Sequence, residues 1–555
     1  HRNLLSAPLT SWKKLANLPR GLEKWLTMPK NNKSQESEMS DQLKSSLALV
    51  KDVLKKVRVY NQTCAVLNFD QQTICPSEGM EEQGEVAAFL SNKAFALQKE
   101  QDYVDACQYI YDHRGELTAT VCGSDKAAEF DRSMAESLHR DFAREKNITL
   151  EMQLEHSQVY NRAFVNWINA KRASDFLLFE KSLGEVRVAQ LQAESLNENR
   201  KATPYDTIFD GYERGVICED LDAAFSRCKE RLVPLLKRIV ASPKKIRTDF
   251  LSRPVTDEAQ RKMARYLLEV LGFDFNRGAF STAEHPFTSG LGKDDVRVTT
   301  HYYPRAFYSS MFSIIHEGGH ALFEQNQPIE NFEHFIEYNK TMGMHESTSR
   351  FYENRIGRSK EFIHLIFPKC KELFPEVFCD VSEREFYEAM NVVAPSLIRT
   401  EADEFTYTFH VIIRYEIEKM IVNGNPDGSE IKIADLPKIW NAKYKEYLGI
   451  EPANDAEGIL QDVHWTSGFG YFPTYALGNM YNAMYYNKMD SEFAVAEAVL
   501  AGDFKKINGW MAENVWLRAD RDDPKTWIKN ITGRDFTADD FLDYLEKKYS
   551  EIYEL

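Results

Sequence analysis

Glycine and proline are scarce in this chain, 26 and 19 among 555 residues. Turn-dense all-β folds need more of both, so long helices are favoured. No run of about 18 apolar residues occurs, and a stretch such as Phe409-His410-Val411-Ile412-Ile413 is short and carries a polar residue, so no membrane-spanning helix is expected. Basic residues are outnumbered, 69 Lys and Arg against 85 Asp and Glu. The net charge of −16 argues against nucleic-acid binding, which needs surplus cations on one face. The eight cysteines (Cys64, Cys75, Cys107, Cys122, Cys218, Cys228, Cys370, Cys379) include no Cys-x-x-Cys pair, so they do not read as a structural zinc site.

Apolar residues at 43 % and charged residues at 28 % are ordinary values, enough for a large buried core. The length is compatible with several domains or with one large helical domain. Five N-x-S/T sequons (Asn32, Asn61, Asn147, Asn339, Asn530) are what chance supplies in a long chain and leave the compartment open between cytoplasm, organelle and exterior.

The first 35 residues differ in tone: Arg2, Lys13, Lys14, Arg20, Lys24, Lys30 and Lys33 face a single acid, Glu23, with Trp12, Leu15, Leu22 and Trp25 between them. Residues 1–40 read as a basic, weakly amphipathic arm or targeting remnant ending in a polar linker from residue 31 to 38, without the apolar core of a secretory signal. Residues 41–555 read as one domain. Apolar residues recur three and four apart in Leu43 to Val57, Glu85 to Tyr103 and Leu221 to Val240, predicting helices, with Pro234 a kink or a new start in the third. Val296 to Tyr303 is β-branched and aromatic and predicts a strand, whose edge is a candidate to pair with an extended peptide.

Behind that strand, Met311-Phe312-Ser313-Ile314-Ile315 leads into His316-Glu317-Gly318-Gly319-His320. A spacing of four puts both imidazoles on one helical face, where they can share an ion. Glu317 projects about 100° away, poorly placed as a ligand but able to hold a water activated by the metal. Such a motif arises by chance in roughly one chain in forty of this composition. The double glycine sharpens it, since each glycine costs a helix about 1 kcal/mol against Ala. Such violations concentrate at functional sites, here to let substrate approach the backbone. A third ligand is expected from a later helix around His345-Glu346-Ser347. By position alone Glu346 competes with Glu337, Glu353 and His345, because groups that orient the histidines are needed as much as the ligand itself.

Six segments carry a resemblance: His285-Pro286-Phe287; Asp295-Val296-Arg297-Val298-Thr299; the helix at 316–320; His345-Glu346-Ser347; Ile398-Arg399-Thr400-Glu401-Ala402-Asp403; and Gly458 to Trp465, followed by Gly470-Tyr471-Phe472-Pro473-Thr474-Tyr475. Together and in this order they resemble the carboxypeptidase Taq family of metallocarboxypeptidases from about residue 45 to the C-terminus. The resemblance implies an almost entirely helical fold with a small antiparallel sheet beside a closed-ended groove, a homodimer and a cytoplasmic location. It also implies Glu346 as third ligand of one zinc per subunit, and broad release of C-terminal residues other than Pro. Gly318 departs from the family pattern, in which larger residues are frequent there.

A carboxypeptidase must hold a free α-carboxylate, for which a bidentate guanidinium is suited. Arg297 and Arg399, each inside a family-like segment, are the candidates. Glu317 is the expected general base and proton carrier, and His464 and Tyr471 are the expected oxyanion donors. Asp403 and Asp462 are expected to orient an imidazole. Zinc is the default metal for two His and one Glu, with cobalt or manganese as substitutes. The competing readings are an endo- or dipeptidyl zinc peptidase on the same helix and a non-catalytic peptide-binding protein.

Overall fold

The computed structural model describes residues 32–555 apart from 337–340, 426 and 519–520, with only the backbone of 32–36. The arm as far as residue 31, and Glu337 among the candidate ligands, lie outside the described residues. Within them the chain is predominantly helical.

The first helix, α1, runs over Asn32–Thr73, so the supposed linker of residues 31–38 is helical from Asn32 onward. The physical reason is cooperativity: Leu43, Leu47, Val50, Leu54 and Val57 bury one face, and once such a nucleus exists a polar, helix-compatible stretch extends it cheaply. The predicted helix from Glu85 to Tyr103 is two: α2 spans Met80–Gln98 and α3 spans Gln101–Asp112. In α4, Cys218–Ala241, the helix continues through Pro234. The helices α1 and α3 share a small apolar core with Phe130 and Met134, distinct from the large core that begins at Val159 and includes the C-terminal helices.

Next come α5, Asp257–Leu271, and three strands, β1 Gly278–Thr282, β2 Thr288–Gly292 and β3 Asp295–Thr300. The sheet order is β1-β3-β2, with β2 antiparallel and β1 parallel to β3. Two expectations are thereby corrected. The sheet is mixed, not wholly antiparallel, and β3 is its central strand, so no free edge of β3 is open along its length for substrate. Val296, Val298, Thr299 and Thr300 are buried, which suits them to the centre. The Gly- and Ser-containing β1 and β2 take the edges.

Under the sheet lies α6, Phe307–Gln325, which carries the two histidines. It packs against α5 and against α7, Met342–Arg350. Two further helices complete the surroundings: α8, Tyr407–Asn423, buried along nearly its whole length, and α9, Pro473–Glu492. Among the described residues no helix is long and apolar enough to cross a membrane.

Candidate metal centre

The double glycine explains how the ligand helices come together. A Cβ on Gly319 would stand 2.7 Å from the Ser349 Cα and 3.1 Å from the Thr348 carbonyl, so α7 lies with its backbone directly on α6. From the other side, a Cβ on Gly478 of α9 would meet Glu346 Cγ at 3.1 Å. Gly318 instead faces Leu268 and Leu271 of α5 at 3.1 and 3.2 Å. These glycines serve helix packing, not substrate access. A side chain at Gly319 or Gly478 would push α7 away from the histidines.

This packing brings His316, His320 and Glu346 together, with one donor atom from each within 4.8 Å of the others. Glu346 Oε2 is 3.3 Å from His320 Nε2 and 3.7 Å from His316 Nε2. The opposite ring atoms are engaged elsewhere: His316 Nδ1 is 2.9 Å from Glu353 Oε2, and His320 Nδ1 is 2.6 Å from His345 Nδ1. A proton donated from each Nδ1 leaves the Nε2 lone pairs facing Glu346, the arrangement of a metal-binding histidine pair. Of the described residues that competed as third ligand, Glu346 joins the histidines. Glu353 and His345 stand behind one ring each.

Electrostatics point the same way. Burial opposes charge on His316, but Glu346 and Glu353 outweigh it and push the imidazole up to about 9. Burial, with the neighbouring His345 and His316, pushes His320 down to about 3. Glu346 stays well below the usual carboxylate range against burial, through Arg350 and His316. The cluster thus draws positive charge to the space between the rings, and two imidazoles and a carboxylate are a donor set that fits zinc.

Glu317 is buried beside them and accepts a hydrogen bond from the Thr288 hydroxyl of β2 at 2.7 Å. Burial raises its pKa, the direction that suits a base. Thr288 follows directly on His285-Pro286-Phe287, and that adjacency was the only signal for it in the sequence.

Arg350 bridges the site: its Nε donates to Glu346 at 2.7 Å and its Nη1 to Glu353 at 3.2 Å, with the guanidinium 4.5 Å above the Tyr407 ring. Tyr407 in turn accepts from Arg399 Nη1 at 3.0 Å. Sequence reasoning missed Arg350, although its spacing of four from Glu346 marks the pair. Arg399 is also held by Asp462, with Nη2 donating at 2.9 Å. Arg414, fully buried on α8, donates to the same Asp462 at 2.6 Å. Asp462 therefore clamps two arginines and stands 3.9 Å from His464 Nδ1. Asp403 faces no imidazole and instead accepts from the Ala394 and Thr406 amides.

Arg297 is not brought to this cluster. Its register partner on β2 is Ser289, while Thr288 pairs with Val298, so alternation puts Arg297 on the sheet face away from Glu317. There it forms a two-point pair with Asp295, at 2.9 and 2.8 Å, beside Phe69 of α1. His464 stacks with Tyr471 and lies tilted against Phe472. Tyr471 has its pKa raised by burial first and by the charge of Glu346 second.

The chain matches the family model described as carboxypeptidase Taq (M32) metallopeptidase over residues 49–549. It belongs to that family. The M32 chain is 37 % identical over 507 residues to Carboxypeptidase 1 of Bacillus subtilis, covering 90 % of this chain and 97 % of the relative. Among solved structures it is similar to the M32 carboxypeptidase of Deinococcus radiodurans, with TM-score 0.84, 29 % identity and 94 % and 100 % of the two chains covered. It is also similar to Trypanosoma cruzi metallocarboxypeptidase 1, with TM-score 0.84, 28 % identity and 91 % and 99 % covered. The M32 chain is accordingly a metallocarboxypeptidase, a peptide hydrolase.

Proposed function

We propose that this M32 peptidase uses one zinc ion to release single residues from peptides with a free C-terminus, with broad specificity. The observation that carries the reading is the convergence of His316, His320 and Glu346 beside a buried Glu317 that Thr288 holds in place. Zinc, when bound, supplies Lewis-acid polarisation of the scissile carbonyl and of water, and the same donors suit cobalt as a substitute. The protein supplies the rest. Glu317 takes the proton of the attacking water and passes it to the leaving amine. His464 and Tyr471 donate to the oxyanion, a contribution of a few kcal/mol felt in the transition state.

Of the two arginines, Arg399 carries the substrate carboxylate in this reading. Asp462 and Tyr407 engage three of its five N–H groups and leave two. Arg297, paired with Asp295 on the far face of the sheet, braces β3 instead. The edge open to an extended substrate is that of β2, next to Glu317, not that of β3. A homodimeric assembly and a cytoplasmic location belong to the same reading and rest on the family alone.

The test is Glu317→Gln. The variant is expected to bind one equivalent of zinc by metal analysis and to lose turnover of an unblocked peptide by about a thousandfold or more, the scale of losing a general base with its associated geometry. Retained turnover would refute it.

A further inference from the structure

Helix α8 grips the segment that carries His464 and Tyr471 at two points one helical turn apart. Arg414 holds the entry, donating to Asp462 at 2.6 Å and to the Gln461 side chain at 2.7 Å. Glu418, four residues on, holds the remainder: its Oε1 accepts from Trp465 Nε1 at 2.9 Å, and its Oε2 from the Gly470 amide at 3.1 Å and the Tyr205 hydroxyl at 2.8 Å. Trp465 and Gly470 are the immediate neighbours of His464 and Tyr471. Glu418 is 1 % exposed, and its hydrogen-bond partners Tyr205, Trp465 and Gly470 are not the metal-ligand trio. A buried carboxylate with three donors and no directly paired cation is costly, and nothing in the reading above uses it.

We propose that Glu418, as a carboxylate, is a positioning residue that fixes the segment from Trp465 to Gly470 against α8 and thereby sets the orientation of His464 and Tyr471. The inference rests on the roles given to those two residues under the proposed function. Three converging donors need an acceptor on both oxygens. A protonated carboxyl turns one oxygen into a donor whose only acceptor among these groups is the Tyr205 hydroxyl, which must then withdraw its own hydrogen bond, so the grip weakens on protonation.

The surroundings place that transition near neutrality. Burial raises Glu418 to about 7, against the lowering effects of Tyr205, Trp465, Gly470 and Arg414. The other titratable groups facing it, Tyr212 and the Tyr415 packed on Tyr205, are neutral phenols in this range. The activity of the enzyme should therefore fall on the acid side of about pH 7 as the segment is released.

The experiment measures kcat, KM and their pH dependence on an unblocked peptide, with zinc content, for the wild type, Glu418→Gln and Tyr205→Phe. Glu418→Gln is expected to lower kcat by tenfold to a hundredfold with KM within about threefold, to keep one zinc, and to lose the acid limb near pH 7. Tyr205→Phe keeps the carboxylate but removes one donor. It should move the acid limb to higher pH, because the charged form is less favoured, and it decides the matter if Glu418→Gln does not fold. Wild-type kcat and an unmoved acid limb in both variants would overturn the proposal. Alongside them, His464→Gln and Tyr471→Phe separate the two failures. If these are impaired while the Glu418 and Tyr205 variants are not, positioning alone is wrong; if these are fully active, the donor roles are wrong.

Discussion

Glu346 divides its two carboxylate oxygens between opposite partners: Oε1 accepts from Arg350 Nε at 2.7 Å, while Oε2 faces His320 Nε2 at 3.3 Å and His316 Nε2 at 3.7 Å. Arg350 also reaches Glu353, which stands behind His316. One guanidinium thus fixes a metal-ligand candidate and the group orienting another, and it balances two buried negative charges.

Arg350→Met is expected to strip Glu346 of its arginine and to leave Glu353 with Arg358 alone. Breaking a buried pair from one side costs on the order of 3 kcal/mol, so chelator-treated protein should lose about that much unfolding free energy. A divalent ion restores positive charge to the same place, so zinc should stabilise the variant more than it stabilises the wild type. Denaturant unfolding with and without zinc checks this, and an equal zinc effect in the two proteins would count against it.

The paired glycines differ in what surrounds them. Gly319→Ala puts a methyl into the backbone of α7, which cannot give locally, whereas Gly318→Ala meets only the tips of Leu268 and Leu271. Overpacking of the first kind costs about 1–3 kcal/mol and should weaken zinc binding by tenfold or more as Glu346 retreats. In Gly318→Ala the gain of about 1 kcal/mol in helix propensity offsets the small rearrangement, leaving stability and zinc affinity near wild type. Equal effects from the two substitutions would show that packing of α7 on α6 does not set the ligand geometry.

His464 makes stability depend on pH in a defined direction. Burial, with Arg399 and Arg414, outweighs the attraction of Asp462 and pushes the imidazole down to about 4, against about 6.5 for an unperturbed histidine. Between these values the unfolded chain takes up a proton that the folded chain refuses. The contribution is therefore full above about pH 6.5 and is lost as pH falls toward 4, by on the order of 3 kcal/mol. Measured at pH 7 and pH 4.5, the loss of unfolding free energy should be smaller in His464→Gln than in the wild type by much of that amount. An identical loss would place His464 in water.

Much of this arrangement could be read before any coordinates. The four-residue spacing of His316 and His320 and the helix-rich composition needed only local periodicity. The choice among Glu346, Glu353 and His345 did not follow from spacing, because it depends on how α7 crosses α6, and that is set by Gly319 and Gly478 contacting a helix far away in sequence. The strand at Val296 was legible from its β-branched residues. Its central place was not, since β1 and β2 are Gly-, Ser- and Thr-containing pentamers with little propensity of their own. Arg297 and Arg399 looked alike in sequence, and only the two-residue alternation of β3 separates them. Arg414 directly follows the apolar run Val411-Ile412-Ile413, an Arg among core residues, and its partner Asp462 lies 48 residues away.

The most direct test of the account is a time course by mass spectrometry on one peptide, offered to the zinc-loaded protein once as the free acid and once as the C-terminal amide. The account predicts a ladder of products from the free acid, each shorter by one C-terminal residue, with the amide left intact. Internal cleavage, or shortening of the amide at a comparable rate, would contradict it.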